Sequence, residues 1–229
     1  ACYLDERNPI DKWKEITREV ERVKDKLNSL KIEKLRIRGV QIDLTIGLGE
    51  NRKWMGGSGR NIPSFEVFIS PDWRQTEGKI RFNQPLYRYG NLIKGARLEF
   101  KNGEVVKAEA DEGEQVLKEM IASDEGSKRV GEYSLTDSRL SRITKFMAET
   151  LFDENRGGEY GNTHLALGKA YQDSYPGDSA TITKEQWAEM GYNDSAVHTD
   201  IVSTENREVT AIMEDGTEMV IYVDGKFVI

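Results

Sequence analysis

The sequence has 229 residues, of which 37% are hydrophobic and 32% are charged, a composition typical of a folded globular domain and unlike that of a disordered chain. Forty acidic residues against 33 basic ones give a formal net charge of −7, which disfavours nucleic acid and anionic membranes as partners. The single cysteine, Cys2, excludes an internal disulfide, and no run approaches the roughly 18 apolar residues of a membrane-spanning helix. We therefore expect a cytoplasmic protein with one domain over residues 1–229.

The first predicted element is an amphipathic helix over residues 8–30. Asn8 is a typical N-cap, and Pro9 suits the first helical position. Apolar residues then recur in steps of three and four along the segment, which indicates a helix that is buried along one face. The opposite face is charged, and we interpret it as solvated.

Strand patterns follow this helix. Alternating apolar and polar residues on both sides of Gly39 predict two strands, or one bulged strand, over residues 35–46. The Gly56-Gly57-Ser58-Gly59 segment lacks the Gly-Lys-Ser/Thr of a phosphate-binding loop and precedes no helical pattern, so we interpret it as a flexible loop. Residues 79–110 contain short strand-like runs with a hairpin turn at Asn102-Gly103.

The second half of the chain mixes helix and strand patterns. Helices are predicted over residues 114–122, 141–151 and 183–190. Two final strand-like runs, residues 209–213 and 219–223, flank a turn at Asp215-Gly216. Because helices and strands are mixed without a βαβ rhythm, the sequence predicts an α+β fold, with a curved antiparallel or mixed sheet and flanking helices.

Carboxylates occur within or beside several of these apolar segments. Glu66 interrupts an apolar strand after Pro63, where a buried carboxylate needs a cation or several donors; a metal ion or Arg60 would meet that need. Glu132 follows Gly131 in another apolar run, and an exposed strand position is its alternative interpretation. Asp153-Glu154 ends an apolar run, where solvation at a helix end is the alternative.

Both histidines of the chain lie in segments that suit metal binding. If the segment around His198 is a strand, His198 and Asp200 project from the same face and can bind one cation together, although His-x-Asp is also a common surface tripeptide. His164 lies between apolar residues further upstream. Two imidazoles and four or five carboxylates exceed what one tetrahedral zinc needs, which favours a site with two metal ions.

Five segments together resemble the thermophilic metallopeptidase family of aminopeptidases, the aminopeptidase S and T type. They are NIPSFEVF at 61–68, GEYSL at 131–135, LFDEN at 151–155, THLALGKAY at 163–171 and HTD at 198–200. The resemblance covers nearly the whole chain and implies the catalytic C-terminal domain of a two-domain aminopeptidase, without the family's N-terminal α/β domain. Since the first residues have neither a methionine nor a signal-peptide core, we expect that the chain begins within a longer gene product.

The resemblance also implies which residues form the site. The residues expected to hold two metal ions, with Glu132 as the bridge, are Glu66, Glu132, His164, Tyr171, His198 and Asp200. Glu154 matches a further active-site carboxylate and is expected to act as a ligand or catalytic base, with Glu159 as a competing candidate because residues 156–162 are longer than in the family pattern. Tyr171 is expected to be catalytic as well. Seven residues along a regular helix rise about 10.5 Å, so Tyr171 and His164 reach one cluster only if the chain bends, for instance at Gly168; a core or hydrogen-bonding tyrosine is the alternative.

The implied activity is hydrolysis of the first bond of a peptide with a free N-terminus, by a hydroxide that bridges zinc, cobalt or manganese ions. The catalytic base is either Glu154 or a metal-bound carboxylate acting through water, and Tyr171 could donate a hydrogen bond to the oxyanion. A homodimer is also implied. Two alternatives stay open: a metal-binding or self-association domain without catalysis, and a sheet-rich binding module without metal.

Overall fold

The fold is described from a computed structural model, which covers residues 2–57 and 61–229. Ser58 and Gly59 of the predicted loop, and Arg60, the alternative partner for Glu66, lie outside the described residues. Gly56 of that loop instead ends a short strand, Met55–Gly56. The helices are α1 (Pro9–Ser29), α2 (Glu114–Ile121), α3 (Thr150–Asp153) and α4 (Lys184–Glu189), with short 3₁₀ turns at Trp73–Gln75, Gly126–Lys128, Gln172–Ser174 and Ser179–Thr181.

The described residues also form strands that pair in two main sheets. The strands are β1 (Ile32–Gly39), β2 (Ile42–Gly47), β3 (Met55–Gly56), β4 (Glu66–Ile69), β5 (Thr76–Arg81), β6 (Leu86–Arg88), β7 (Asn91–Ile93), β8 (Arg97–Lys101), β9 (Glu104–Glu109), β10 (Val130–Thr136), β11 (Asn162–Gly168), β12 (His198–Ser203), β13 (Arg207–Met213), β14 (Glu218–Val223) and β15 (Lys226–Phe227). The large sheet has the order β15-β14-β13-β1-β2-β5-β8-β9, the small sheet has the order β12-β11-β10-β4-β3, and β6 and β7 form a separate hairpin. The neighbours described are antiparallel, and the predicted α+β fold is confirmed.

A shared apolar core joins the two sheets. Val67, Leu135 and Leu165 project from one face of the small sheet into the cluster that contains Leu35 and Leu44 of the large sheet. Because side chains alternate along a strand, the neighbouring residues of β4, β10 and β11 face the other way. That second face of the small sheet carries the polar residues of the candidate site.

The predicted N-terminal helix is confirmed as α1. The Asn8 side chain accepts a hydrogen bond from the Asp11 N–H, and the Pro9 ring occupies the first turn. Trp13 on this helix stacks on Phe65, with ring centroids 5.2 Å apart and an interplanar angle of 14°. The helix therefore supports the start of β4, the strand that carries Glu66. No helix in the described part of the chain is long and apolar enough to cross a membrane.

Local sequence signals also predicted other elements correctly. Helix α4 begins with a capping box in which Thr183 and Gln186 exchange side-chain to backbone hydrogen bonds. The hairpin of β8 and β9 turns at Asn102-Gly103 as predicted. Gly103 has a φ of +81°, and a Cβ there would lie 2.3 Å from the Trp73 carbonyl oxygen, so both backbone conformation and space require glycine.

The predicted helix over residues 141–151 is wrong, because only α3 is helical in this region. The Asp153 carboxylate accepts hydrogen bonds from the N–H groups of Met147 (2.7 Å) and Glu149 (3.1 Å). Ala148, between them, has a φ of 55°, which an α-helix does not tolerate. The Asp153 carboxylate thus accepts hydrogen bonds from backbone N–H groups that would donate to carbonyl oxygens in a helix. The segment forms a loop that ends beside Glu154.

Candidate metal centre

Strand register brings the candidate ligands onto one face of the small sheet. Glu132 on β10 lies opposite Ala166 on β11, which in turn lies opposite Asp200 on β12. His164 lies opposite Ser134, two residues along the same strands. Directly paired residues of antiparallel strands project from the same side, so these side chains meet above the sheet.

Glu132 lies at the centre of the resulting cluster. One of its oxygens, Oε1, is 2.9 Å from His164 Nε2, and the other, Oε2, is 3.7 Å from His198 Nε2. The Oε2 atom of Glu66 lies 3.4 Å from His164 Nε2, and the Oδ1 atom of Asp200 lies 3.3 Å from His198 Nε2. The cluster therefore consists of two adjacent sets of ligand atoms that share the carboxylate of Glu132.

Both imidazole rings are oriented by backbone carbonyl groups. His198 Nδ1 is 2.7 Å from the Lys169 carbonyl oxygen, and His164 Nδ1 is 3.4 Å from the Glu154 carbonyl oxygen. Because a carbonyl oxygen only accepts, Nδ1 is protonated in both rings, and loss of the proton on Nε2 would direct the Nε2 lone pair at a cation bound beside the carboxylates. Histidine ligands of metal ions are held in this way. A cation between Nε2 and the carboxylates fits the arrangement.

The carboxylates crowd negative charge into a buried site. Glu66 is 5% exposed, and burial together with the negative charge of Glu132 raises its pKa to about 7, although Ser134 donates a hydrogen bond to it at 2.6 Å. Burial and the charges of Asp200 and Glu66 raise the pKa of Glu154 to about 10. Bringing these groups together therefore disfavours their ionised forms unless positive charge is supplied.

The histidines supply some of this positive charge. Burial alone would lower the pKa of His198, but its hydrogen bond to Asp200 and the nearby carboxylates raise it to about 8. Burial also disfavours the charged form of His164, yet the charge of Glu66 and the hydrogen bond to Glu132 hold its pKa well above the ordinary value. Within residues 2–57 and 61–229, ion pairs to these carboxylates come from the two histidines, with no lysine or arginine taking part. The oxygen and imidazole donors suit a divalent metal ion.

The structure separates the two competing glutamates. Glu154 follows α3 and forms a hydrogen bond with Asp200, and it lines the cavity above the cluster. Its carbonyl oxygen accepts a hydrogen bond from Asn162 Nδ2 at 3.0 Å, which fixes the end of α3 to the start of β11. Glu159 is exposed and forms a hydrogen bond with Tyr160 instead. The cluster therefore includes Glu154 and leaves Glu159 out.

Tyr171 reaches the site because the chain bends after β11. His164 lies on a strand, where the helical spacing does not apply, and Gly168 at the end of that strand has a φ of +102°. The Tyr171 ring then lies 4.7 Å from the His198 ring, between centroids. Burial and the charge of Glu132 raise the pKa of its hydroxyl. The bend required at Gly168 is present.

The cluster forms the floor of a cavity of about 320 Å³. Several lining residues were not identified from the sequence, namely Met55, Gly56, Asn61, Ser64, Phe68 and Asp173. Phe68 is two residues from Glu66 on β4, and strand alternation predicts that it shares the face of Glu66. Met55 lies on β3, and only the pairing of β3 with β4 brings it there.

Ala166 lies between two of the candidate ligands, so a larger side chain at this position tests whether the cluster binds metal. It is fully buried and lies between Glu132 and Asp200 across the sheet. Ala166→Val adds two methyl groups in a residue that strands favour. We expect metal affinity to fall about tenfold, since overpacking costs about 1–3 kcal/mol, while the circular dichroism spectrum is retained. Isothermal titration with zinc measures the change, and unchanged affinity would contradict metal binding at this cluster.

Comparisons with known proteins show the family and the fold of the chain. A model of the thermophilic metalloprotease (M29) family matches residues 1–227. The chain is 33% identical to aminopeptidase T of Thermus aquaticus and 33% identical to aminopeptidase PepS of Streptococcus thermophilus, in each case over 100% of this chain and 57% of the relative. Among solved structures, wild-type AmpT from Thermus thermophilus superposes with a TM-score of 0.85 at 32% identity, covering 96% of this chain and 56% of that one. The chain thus spans about half the length of the curated relatives it matches.

Proposed function

Because the chain belongs to the thermophilic metalloprotease (M29) family, we propose that it is the catalytic part of an aminopeptidase that depends on two metal ions and hydrolyses the N-terminal peptide bond. The observation that carries the proposal is the position of Glu132, whose two oxygens face the Nε2 atoms of His164 and His198. The names of the similar proteins support an N-terminal specificity.

The proposed ligands divide into two sets. Glu66, Glu132 and His164 offer atoms that lie within 4.8 Å of one another, and these residues would hold one ion. His198 and Asp200 would hold the second ion together with the other oxygen of Glu132. This mixture of carboxylate oxygen and imidazole nitrogen accommodates zinc, cobalt or manganese. Divalent ions bound there would polarise the scissile carbonyl group and lower the pKa of the attacking water.

Glu154 and Tyr171 are the residues proposed to handle protons at this site. The raised pKa of Glu154 and its hydrogen bond with Asp200 allow it to hold a proton near neutral pH and to pass that proton to the leaving amine. The raised pKa of the Tyr171 hydroxyl keeps it protonated. It can therefore donate a hydrogen bond to the oxygen on which negative charge develops.

The cavity suits a peptide with a free N-terminus. Its floor carries the carboxyl groups of Glu66, Glu132, Glu154 and Asp200, whose oxygens can accept hydrogen bonds from a free N-terminal amine. One wall is apolar, formed by Met55 and Phe68, and can accept an apolar first side chain. Both features suit the N-terminal end of a peptide, which is the part that an exopeptidase binds.

Metal binding can be tested independently of activity. After reconstitution with zinc or cobalt and removal of the excess, elemental analysis is expected to give two ions per chain. Metal at 100 times its dissociation constant should stabilise the fold by about 2.7 kcal/mol for each bound ion, seen as a higher midpoint of thermal unfolding that a chelator reverses. Absence of both effects would contradict the metal site.

Activity is tested with a pair of matched peptides. The metal-loaded chain is expected to release the first residue of a peptide with a free N-terminus and to leave the same peptide intact when its N-terminus is acetylated, because the ammonium group is lost. Cleavage of both peptides at internal bonds would contradict an aminopeptidase. Two bound ions with no cleavage would instead favour the alternative of a metal-binding domain without catalysis.

The homodimer and the cytoplasmic, reducing setting stay predictions. The family resemblance implies the first, and the single cysteine, Cys2, favours the second. Light scattering coupled to gel filtration measures the mass of the assembly directly. A monomeric mass of 26.1 kDa at micromolar concentration would contradict the homodimer.

A further inference from the structure

Tyr171 combines a partly exposed ring with a firmly held backbone. The ring is 46% exposed, and its ring contacts are with His198, at 4.7 Å between centroids, and with Phe68, at 5.9 Å. Its N–H donates a hydrogen bond to Ser70 Oγ at 2.8 Å, and its carbonyl oxygen accepts one from the N–H of Ser174 at 3.1 Å. Two serines thus hold both polar groups of the Tyr171 backbone.

The two serines also bind each other. The N–H of Ser70 donates to Ser174 Oγ at 3.1 Å, so three hydrogen bonds form a closed ring through Tyr171, Ser70 and Ser174. Both serines are fully buried. Buried hydrogen bonds are geometrically demanding, because an unpaired group there is costly. These three hydrogen bonds therefore fix the segment of Tyr171 to the end of β4.

A second layer fixes the serines from behind. The Arg52 Nε atom donates to the Ser70 carbonyl oxygen at 2.7 Å, and the N–H of Lys53 donates to the Ser174 carbonyl oxygen at 2.7 Å. The Arg52 guanidinium is itself held over the Tyr192 ring, 3.5 Å from its centroid. Neither serine lines the cavity, and the hydrogen bonds to the Tyr171 backbone link both serines to a residue that does.

We propose that Ser70 and Ser174 are positioning residues that hold the Tyr171 hydroxyl over the metal centre. The inference rests on the proposed function, in which Tyr171 donates a hydrogen bond to the developing oxyanion. A donor must be placed before the reaction to stabilise that charge. The aromatic ring of Tyr171 is 46% exposed. Its position therefore depends on the buried hydrogen bonds that hold the Tyr171 backbone.

The test is a double-mutant cycle. Ser70→Ala is expected to lower kcat about 10–100-fold, the range that a small misplacement of a catalytic group causes, with two metal ions still bound. In the Tyr171→Phe background the same substitution should lower kcat less than twofold, because the hydroxyl that it positions is gone. Equal losses in both backgrounds would show a general structural role and overturn the proposal.

Two further variants guard against misfolding. Ser174→Ala removes the acceptor of the Ser70 N–H and should reproduce the pattern. Ser127→Ala is the matched control, since Ser127 is buried and its hydroxyl donates to the Ile121 carbonyl oxygen at 3.0 Å, away from the cavity. It should leave kcat within twofold of wild type, and a loss equal to that of Ser70→Ala would overturn the proposal.

Hydrogen exchange separates this inference from the proposed function. The Tyr171 amide should exchange at least about tenfold faster in Ser70→Ala than in wild type, because its buried acceptor is lost, and it should be unchanged in Ser127→Ala. Unchanged exchange in Ser70→Ala would overturn the positioning role even in an active enzyme. Faster exchange in a chain without peptidase activity would support the network and contradict the proposed function instead.

Discussion

Replacement of Glu132 by glutamine is expected to abolish both the retention of two metal ions and the hydrolysis of peptides. Each oxygen of Glu132 faces a different histidine Nε2 atom, so one substitution affects both proposed ion positions. The amide keeps the shape of the side chain but loses the charge, and its NH₂ group cannot bind a cation. Mutation of a residue that only hydrogen-bonds to a metal ligand typically lowers metal affinity about 10–100-fold. Because Glu132 is itself a proposed ligand, we expect a loss of at least about 100-fold.

Elemental analysis and isothermal titration measure this loss. Asp72→Asn is the matched control, because Asp72 is also a buried carboxylate but accepts hydrogen bonds from Arg74 instead of facing the histidines. It is expected to lower stability while the two ions are retained. If Glu132→Gln binds two ions with wild-type affinity, Glu132 does not bridge them.

Replacement of Glu154 by glutamine is expected to lower kcat while metal binding is largely retained. General acid and base groups contribute roughly 10²–10⁴-fold to rate, and we expect a loss within that range. Glu154 lines the cavity and binds Asp200, with a pKa raised to about 10 by burial. A glutamine can keep the hydrogen bond to Asp200 but cannot release a proton to the leaving amine.

The control for this experiment is Glu159→Gln, the other glutamate of the same segment. Glu159 is exposed and binds Tyr160, so kcat and metal content should stay at the wild-type level. Steady-state kinetics and elemental analysis are carried out on both variants, and a loss of kcat in Glu154→Gln alone, with both ions retained, supports the proton-transfer role of Glu154. A loss of one ion in Glu154→Gln makes Glu154 a ligand, and a large loss of kcat in Glu159→Gln contradicts the assignment of the proton-transfer role.

Local sequence patterns determined most of the elements. The N-cap Asn8 with Pro9, the Asn102-Gly103 turn and the capping box of Thr183 act within a few residues, and each element that they predicted is present. The stabilities of these caps and turns depend on residues that are close in the chain, so the sequence alone is enough to predict them. The exception is residues 141–151, where the apolar spacing suggests a helix but the Asp153 carboxylate binds the N–H groups of Met147 and Glu149.

The sequence alone, through its resemblance to the metallopeptidases, also supplied the chemical types at the site. Strand alternation was enough to place His198 and Asp200 on one face, and the order of the motifs indicated the other candidate ligands. Tertiary structure decided how they meet. The register of β10, β11 and β12 puts Glu132 and Asp200 on either side of Ala166, and a shift by one residue would turn these carboxylates to the core.

Only the tertiary structure distinguished Glu154 from Glu159 and placed Tyr171. The two glutamates are five residues apart in the chain, and the hydrogen bond of Glu154 with Asp200 separates them. Tyr171 depends on the bend at Gly168 and on Ser70, which is 101 residues earlier in the sequence. Contacts between residues so distant depend on sheet register and on buried hydrogen bonds, which form only when the whole core is packed, and no local pattern encodes them.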